Sequence, residues 1–497
     1  MALTVRLLLP QGGLRRWHEN LHDALAQSGV DVSVEWRPGP PRPDAVGLLE
    51  ALERLLFARG GESLLDLSPD PGRLRRSAAP ADFVFDLTGW PRATPGAIFP
   101  TYCGATGDDA CDHMLLSGAT PSLSLVKVVG DAVVVVAQGR PALEQPHILR
   151  RGREAIAARL ATLIRMAVLR ESEAAEGPAP EIAYAVGPAL VASFLVESLV
   201  AKARSRLTRL LAHEGHWRIG WRRLAGPEDA TAARLDWPSA NWSWLDDDRR
   251  RYFADPFLFE HDGVTHVFCE EYPYATGKGI LSWFPLAADG KPAQAPRPIL
   301  ERPHHLSYPL VFRHAEQIWM MPETCGGRVL ELYRADPFPT KWTLDRVLLA
   351  DVKLADATLF EHAGRFWLTA TEPSGGLSDW DCLAIYVAAS PLGPWSRCGG
   401  AAALMDASAA RPAGHAFRRD GALWRPAQDC TRGYGSGLAL CRIERLDEAG
   451  FAQSVERRLA PPPGARASGV HTLNTGGGFE AIDVVGLCGK PILAAQR

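Results

Sequence analysis

The sequence predicts an α/β N-terminal domain followed by an all-β five-bladed β-propeller. Three observations carry this. Up to about residue 140, short apolar strands alternate with helical patterns. From Trp217 onward helical periodicity vanishes, and short β-type runs alternate with Gly, Pro and Asp turns. The same second half repeats itself at a period close to fifty residues.

Taken in order, "LTVRLLLP", "LHDALAQSG", "VDVSVEW" and "ADFVFDLTG" give the strand-helix-strand rhythm of a Rossmann-like unit with a parallel sheet. The first turn, "PQGGLRRW", has two glycines but no GxGxxG, so a tight strand-to-helix turn is preferred over a nucleotide site. Two long amphipathic runs separated by "EGPAPE" follow, and they read as a helical connector. The segment "GPALVASFLVESLVAKARSR" is interrupted by Glu197 and Lys202, which makes it too short to span a bilayer and better read as an amphipathic helix. The expected boundaries are therefore 1–149 for the α/β domain, 150–212 for the connector and 213–497 for the propeller.

A chain of 497 residues, 46% hydrophobic and 22% charged, is long enough for two or three cores. Its net charge of -3 argues against a nucleic-acid partner, which calls for a basic excess. The nine cysteines are scattered and form no CxxC pair, as expected of reduced thiols in the cytoplasm. The start, "MALTVRLLLPQGG", lacks the basic and apolar regions of a secretion signal. No residue grouping calls for a metal or another cofactor.

The repeat is seen by aligning "ADPFLFEHDGVTHVFCEE", "SYPLVFRHAEQIWMMPE", "ADATLFEHAGRFWLTATE" and, more loosely, "AGHAFRRDGALWRPAQD". Each is a strand, a short turn and a second strand. The matching positions Asp255, Tyr308, Asp356, Gly414 and His471 are 53, 48, 58 and 57 residues apart. Small antiparallel sheets at such a period are the mark of propeller blades, none of which can bury both faces alone. Five fit between Trp217 and the C-terminus.

In a propeller the innermost strands line a central channel, so a position shared by every blade forms a ring around one mouth. Asp255, Tyr308, Asp356 and His471 are expected in that ring. A second ring is expected 15 to 16 residues later, from Glu270 or Glu271, Glu323 and Glu372. Acids that converge with unequal burial acquire unequal pKa values, which is how one serves as base while another stays protonated. A lone Asp before a strand is ordinarily a turn or capping residue, and Asp262-Gly263 and Asp420-Gly421 read as turns without chemistry. Recurrence in register lifts Asp255 and Asp356 above that reading. His305, Arg411, His415, Arg425, Gln428, Asp429 and His471 stand at loop or inner-strand positions suited to hydroxyl or anion contacts, with Glu271 and Tyr308 beside them. Trp242, Trp244, Trp283, Trp319, Trp367 and Trp424 are either sugar-stacking platforms or, as is commoner, packing between blades.

The motifs "FADPFLFEHDG" and "ADATLFEHAGRFWL" resemble the blade motifs of five-bladed propeller glycosidases of the arabinanase and β-xylosidase-like clan. The ordered series "RYFADPFLFE", "GKGILSWF", "HLSYPLVF", "MMPET", "LYRADPFPTKW", "SPLGPW", "ARPAGHAF", "RPAQDC", "YGSG" and "GVHTLN" more closely resembles the N-terminal propeller domain of plant glucosamine inositolphosphorylceramide transferases. Bacterial proteins of that type, some joined to formyltransferase-like domains, are similar too. The resemblance covers roughly residues 215–485, without a counterpart of the plant proteins' separate glycosyltransferase domain. It implies Asp255 as base or charge stabiliser, Asp356 as modulator and Glu323 as general acid. Trp319 and two methionines would form an apolar wall that raises the Glu323 pKa.

Three functions fit these residues: a carbohydrate-active enzyme, a glycan-binding module and a scaffold for proteins. Acids in register favour the first. With no secretion signal, synthesis is favoured over digestion. The expected substrate is a carbohydrate or sugar nucleotide, in surface polysaccharide or glycolipid assembly, with peripheral rather than membrane-spanning contact to that pathway.

Overall fold

The computed structural model describes residues 2–490 apart from 58–61, 69, 71–73, 78, 91–93, 170–174, 183–184, 240–241, 247, 374 and 376, so 491–497 of the expected propeller segment lie outside the described residues. The chain divides into two compact units. Unit 1 is Met1–Arg204 with the short segments Ser374–Ser378 and Gly399–Asp406, and unit 2 is the remainder.

In unit 1, β1 (Thr4–Pro10), α1 (Arg16–Gln27), β2 (Asp31–Arg37), α2 (Asp44–Phe57), β3 (Phe83–Asp86) and β4 (Ile98–Tyr102) follow the expected rhythm. They are followed by α3 (Asp108–Leu116), β5 (Leu123–Val129), β6 (Ala132–Gly139) and α4 (Leu149–Val168). The sheet order is β2-β1-β3-β4-β5-β6. It is parallel from β2 to β4 but antiparallel from β4 to β6, which corrects the expectation of an all-parallel sheet. For β5 and β6 the cause is local: only Gly130-Asp131 separate them, and a two-residue turn with Gly130 at φ +63° can only reverse the chain. Helix α4 was expected in a connector. Instead its Ile156, Leu160, Leu163 and Ile164 stripe is buried, and it packs on α1, α3 and β6 inside unit 1. The second run of the expected connector is α5 (Pro188–Leu211).

Unit 2 is a five-bladed propeller. Blade 1 is the sheet built from Arg251–His261, Val264–Pro273, Ile280–Leu286 and Arg297–Leu300. Blade 2 runs from Ser307 to Ala350, blade 3 from Ala355 to Cys398, and blade 4 from Phe417 to Leu459. Blade 5 joins both ends of the unit: Ala212–Arg223 pairs with Phe479–Gly489, whose other neighbour is Gly469–Gly476. A ring closed in this way has no seam made only of blade-to-blade packing. In each blade the hairpin between the two innermost strands closes on two residues at positive φ: Asp262-Gly263, Ala315-Glu316, Ala363-Gly364, Asp420-Gly421 and Gly477-Gly478. That recurrence is the repeat read from the sequence, now seen as five primed turns whose twist matches the strands. Between the blades, Phe257, Leu310, Met321, Leu332, Leu368 and Tyr386 belong to one continuous apolar cluster.

Candidate functional site

The site grows out of a backbone irregularity that the first three blades share. The pairing of the two inner strands slips between Ala254 and Phe257, between Ser307 and Leu310, and between Ala355 and Thr358. The residue after each break lies in the left-handed region: Asp255 at φ +51°, Tyr308 at +48° and Asp356 at +53°. None is glycine, so each position is strained at a cost of order 1–3 kcal/mol and persists only if its surroundings over-determine it.

What holds them is a relay of carboxylates. The backbone N–H of Asp255 donates to Asp483 Oδ2 at 2.8 Å, that of Tyr308 to Asp255 Oδ2 at 3.1 Å, and that of Asp356 to Glu323 Oε2 at 3.0 Å. The Tyr308 hydroxyl accepts the Gly414 N–H of blade 4 at 2.6 Å. The N–H groups of Asp255, Tyr308 and Asp356, freed from the ladder by the bulges, are thus each taken up by an acid of the cluster, as a buried donor requires. The acids of the opening hairpin therefore have a structural task before any chemistry.

The carboxylates are also tied to cations. His471 offers Nδ1 to Asp483 Oδ2 at 2.7 Å and Nε2 to Asp255 Oδ1 at 3.5 Å, while the Thr472 hydroxyl donates to Asp255 Oδ1 at 3.0 Å. Arg411 donates Nε to Asp356 Oδ2 at 2.6 Å and its amino groups to Asp379 at 2.7 Å and to the Tyr434 hydroxyl at 3.3 Å. Gln428 donates to the same Asp356 oxygen at 2.7 Å. Tyr434 lies under the Arg411 guanidinium, and Trp217 stacks on His471 at 3.8 Å.

Burial, reinforced by Asp356 and Asp483 and opposed by His471, pushes the Asp255 carboxyl up to about 7. Burial and then the neighbouring Asp255 and Glu323 push Glu270 well above the usual carboxylate range. Burial and then the Asp356 charge do the same to Glu323. Burial alone would lower the His471 imidazole, but Asp483 and Asp255 outweigh it and hold it above its ordinary value. The cluster thus combines Asp255, at about 7, with two glutamates that burial and neighbouring charge hold well above the usual carboxylate range. Two of the acids have little else to do. Glu323 uses only Oε2 in the relay, and its side chain is 12% exposed. Glu270 has just the Tyr252 hydroxyl at 3.5 Å and His305 Nε2 at 3.4 Å near it.

The structure brings together Asp255, Tyr308, Glu323, Asp356, Arg411, Gln428 and His471, all expected from the sequence. It places His305 at the edge through Glu270, and His415 beside Phe257 with its N–H donated to Asn474. Other expectations are corrected. Glu270, opposite Ala254, is the partner in register of Glu323, opposite Ser307. Glu271 is turned the other way, to Arg251 and Ser282 at 2.5 Å each. In blade 3 the register position opposite Ala355 is Thr371, so Glu372 falls one residue beyond the ring and pairs with Arg397 instead. One residue of slip exchanges the faces of a strand, and the 15-versus-16 spacing was that slip. Arg425 braces blade 4 through the carbonyls of Ala409 and Ala410 and through Gln453, while Asp429 caps Thr431 and pairs with Arg458. Trp319 is no wall for Glu323. It lies four residues back along the strand, about 13 Å away, and donates its indole N–H to the His314 carbonyl. Trp283, Trp367 and Trp424 pack within blades.

Asp483, Asp379, Thr472, Tyr434 and Trp217 escaped the sequence reading. Asp483 alone left a trace, as a single acid inside the apolar run "AIDVVGL", where a charge is buried only with partners. Asp255, His471 and Asp483 also present ligand atoms within 4.8 Å of one another, but His471 and Thr472 already occupy the inward oxygens of the two acids.

In unit 1, the "PQGGLRRW" segment is the tight turn expected, with Gly13 at φ +106°. A cavity of about 190 Å³ opens there, lined among others by Trp17, Tyr102, Asp108, Arg15, Arg150 and Arg153. Arg150 is spoken for by Asp66 at 2.8 Å, and Arg153 by Glu50 and Asp112.

Residues 245–463 match the model of the family described as glucosamine inositolphosphorylceramide transferase 1, N-terminal. The protein of that name from Oryza sativa subsp. japonica is 32% identical over 310 residues, 58% of this chain and 42% of its own length. The one from Arabidopsis thaliana is 30% identical over 266 residues, 48% of this chain and 34% of its own. The matches thus span less than half the length of these curated relatives. Among solved structures, an exo-β-1,3-galactanase from Phanerochaete chrysosporium aligns at a TM-score of 0.31 and 13% identity, over 49% of this chain and 51% of that one. The catalytic domain of an α-L-arabinofuranosidase from Coprinopsis cinerea aligns at 0.34 and 14%, over 54% and 97%. The propeller is related in sequence to the N-terminal region of the plant transferases.

Proposed function

We propose that the propeller is a carbohydrate-active module that promotes glycosyl transfer to or from a sugar held over Glu270, Glu323 and Asp255. The observation that supports this is the unequal state of these acids within one cluster. Glu323 is held well above the usual carboxylate range and has an oxygen outside the relay, while Asp255 is pushed up to about 7 beside a His471 held above its ordinary value. Glycosyl transfer needs that combination: a proton for the leaving oxygen and a carboxylate for the oxocarbenium-like charge. Asp356 tunes the acid, since its charge raises Glu323 while its backbone N–H and Arg411 restrain it. The relatives' name, a transferase, favours transfer over hydrolysis; the proposed donor is a sugar nucleotide, in polysaccharide or glycolipid assembly. Nine cysteines without a disulfide fit a reducing compartment such as the cytoplasm.

A second reading, a glycan-binding module, is favoured by the structural use of Asp255, whose two oxygens are spent on Tyr308 and Thr472, and of Asp356, whose Oδ2 is spent on Arg411 and Gln428. Incubating the full chain with a panel of nucleotide sugars and aryl glycosides separates the two. Turnover that Glu323→Gln abolishes supports catalysis. Binding of sugars without turnover, equal in wild type and Glu323→Gln, supports the module.

A further inference from the structure

Helix α5 carries its buried residues on the wrong side for an ordinary surface helix. Val191, Phe194 and Ser198 are its only buried positions, on one narrow face near the N-terminal end. On the opposite face, Val196, Leu199, Val200, Leu207, Leu210 and Leu211 are 44–74% exposed. At about 100° per residue these six fall within an arc of about 120°, and the stripe from Val196 to Leu211 is about 22 Å long. A soluble surface would place polar residues there.

The charges around the stripe say what covers it. Arg204 and Arg206 lie about 80° to either side of its centre, and Lys202 and Arg209 stand further round. Glu197 is the one acid of the helix, which leaves it at +3 (four cations less one anion) in a chain whose net charge is -3. Lys202 is engaged: it donates to the Leu56 carbonyl at 2.6 Å and sits over the Phe57 ring at 4.2 Å, which ties α5 to the end of α2. A second copy of the helix would set four cations against four cations. No helix of the described residues is long and apolar enough to cross a membrane. An apolar stripe edged by arginines on both sides suits the boundary between acyl chains and anionic headgroups, where the aliphatic side chains are buried and the guanidinium groups meet phosphate or carboxylate.

We propose that α5 is an interfacial helix that lays the chain on a bilayer rich in anionic phospholipid. This stands whatever the propeller's chemistry is. The test is flotation of the full chain with vesicles of phosphatidylcholine alone or with phosphatidylserine added to about 30%, a composition that gives a negative surface. Wild type should float with the anionic vesicles and be released only in part by salt. Near such a surface each arginine contributes about fivefold in partitioning, so Arg204→Gln with Arg206→Gln should weaken it about thirtyfold. Leu207→Ser with Leu210→Ser should abolish the part that resists salt. Both pairs are exposed, so the melting temperature should not move. Equal binding to neutral vesicles overturns the proposal, as does no binding by wild type. Concentration-dependent dimerisation that the serine pair abolishes, without vesicle binding, would assign the stripe to a second copy instead.

Discussion

Asp255→Asn and Glu323→Gln are chemically alike, and the structure predicts opposite outcomes for them. Both oxygens of Asp255 accept: Oδ2 takes the Tyr308 N–H, while Oδ1 takes the Thr472 hydroxyl and faces His471. An asparagine has one acceptor: with it kept on the Tyr308 N–H, the NH2 faces the Thr472 hydroxyl, which must turn from donor to acceptor, and the His471 imidazole. Disturbing the contacts of that oxygen costs about 1–3 kcal/mol, while removal of a carboxyl whose ionised form burial disfavours offsets part of it. A net of about 1–3 kcal/mol at about 2–4 °C per kcal/mol for a domain of this size lowers the melting temperature by roughly 2–12 °C. Glu323 spends only Oε2, on the Asp356 N–H. A glutamine keeps that acceptor and points its NH2 toward the open side, so stability should change by less than about 1 kcal/mol. Turnover should nevertheless fall about 10²- to 10⁴-fold, because the proton is gone. The assay is thermal melting of both variants together with rate at a temperature well below either transition. An Asp255→Asn protein that melts within about a degree of wild type would refute the relay as a stabilising device, and Glu323→Gln at wild-type rate would refute the acid.

Other outcomes follow from the same geometry. Asp356→Asn and Arg411→Met each break a buried pair, so their double-mutant cycle on melting should show a coupling of about 2 kcal/mol or more; additive effects would mean the 2.6 Å contact carries no energy. Activity should rise through an acidic limb near pH 7, where Asp255 ionises, and not near 4. For stability the sign is the reverse. Asp255, Glu270 and Glu323 hold protons in the fold at pH values where the unfolded chain has lost them, so stability falls as pH rises from about 4 through 7. His471, raised in the fold, adds stability below about 6.5 that is lost as pH passes its raised value. Melting should therefore drop between pH 5 and 8, and a curve that climbs over that range would contradict the raised carboxyls. Gly414→Ala should prevent folding of unit 2 or lower its melting sharply, because at φ +122° the new Cβ would lie 2.2 Å from the Leu473 carbonyl oxygen; circular dichroism reads the result.

The sequence by itself determined the blade count and the inner ring. Strand alternation, the turns after each inner strand and the fifty-residue period are local properties, and each blade repeats them because each faces the same packing problem. Asp255, Tyr308 and Asp356 were legible for that reason. What only the tertiary structure decided depends on residues far apart in the chain. Asp483 is 228 residues from the N–H it caps, and Arg411 is 55 from Asp356. The pairing of Ala212–Arg223 with Phe479–Gly489 closes the ring through strands with no shared motif. Whether Glu270 or Glu271 faces the cluster turned on a one-residue bulge that no alternation pattern displays. The unequal pKa values come last, because they arise from burial and from charges that meet only once five blades have closed around them.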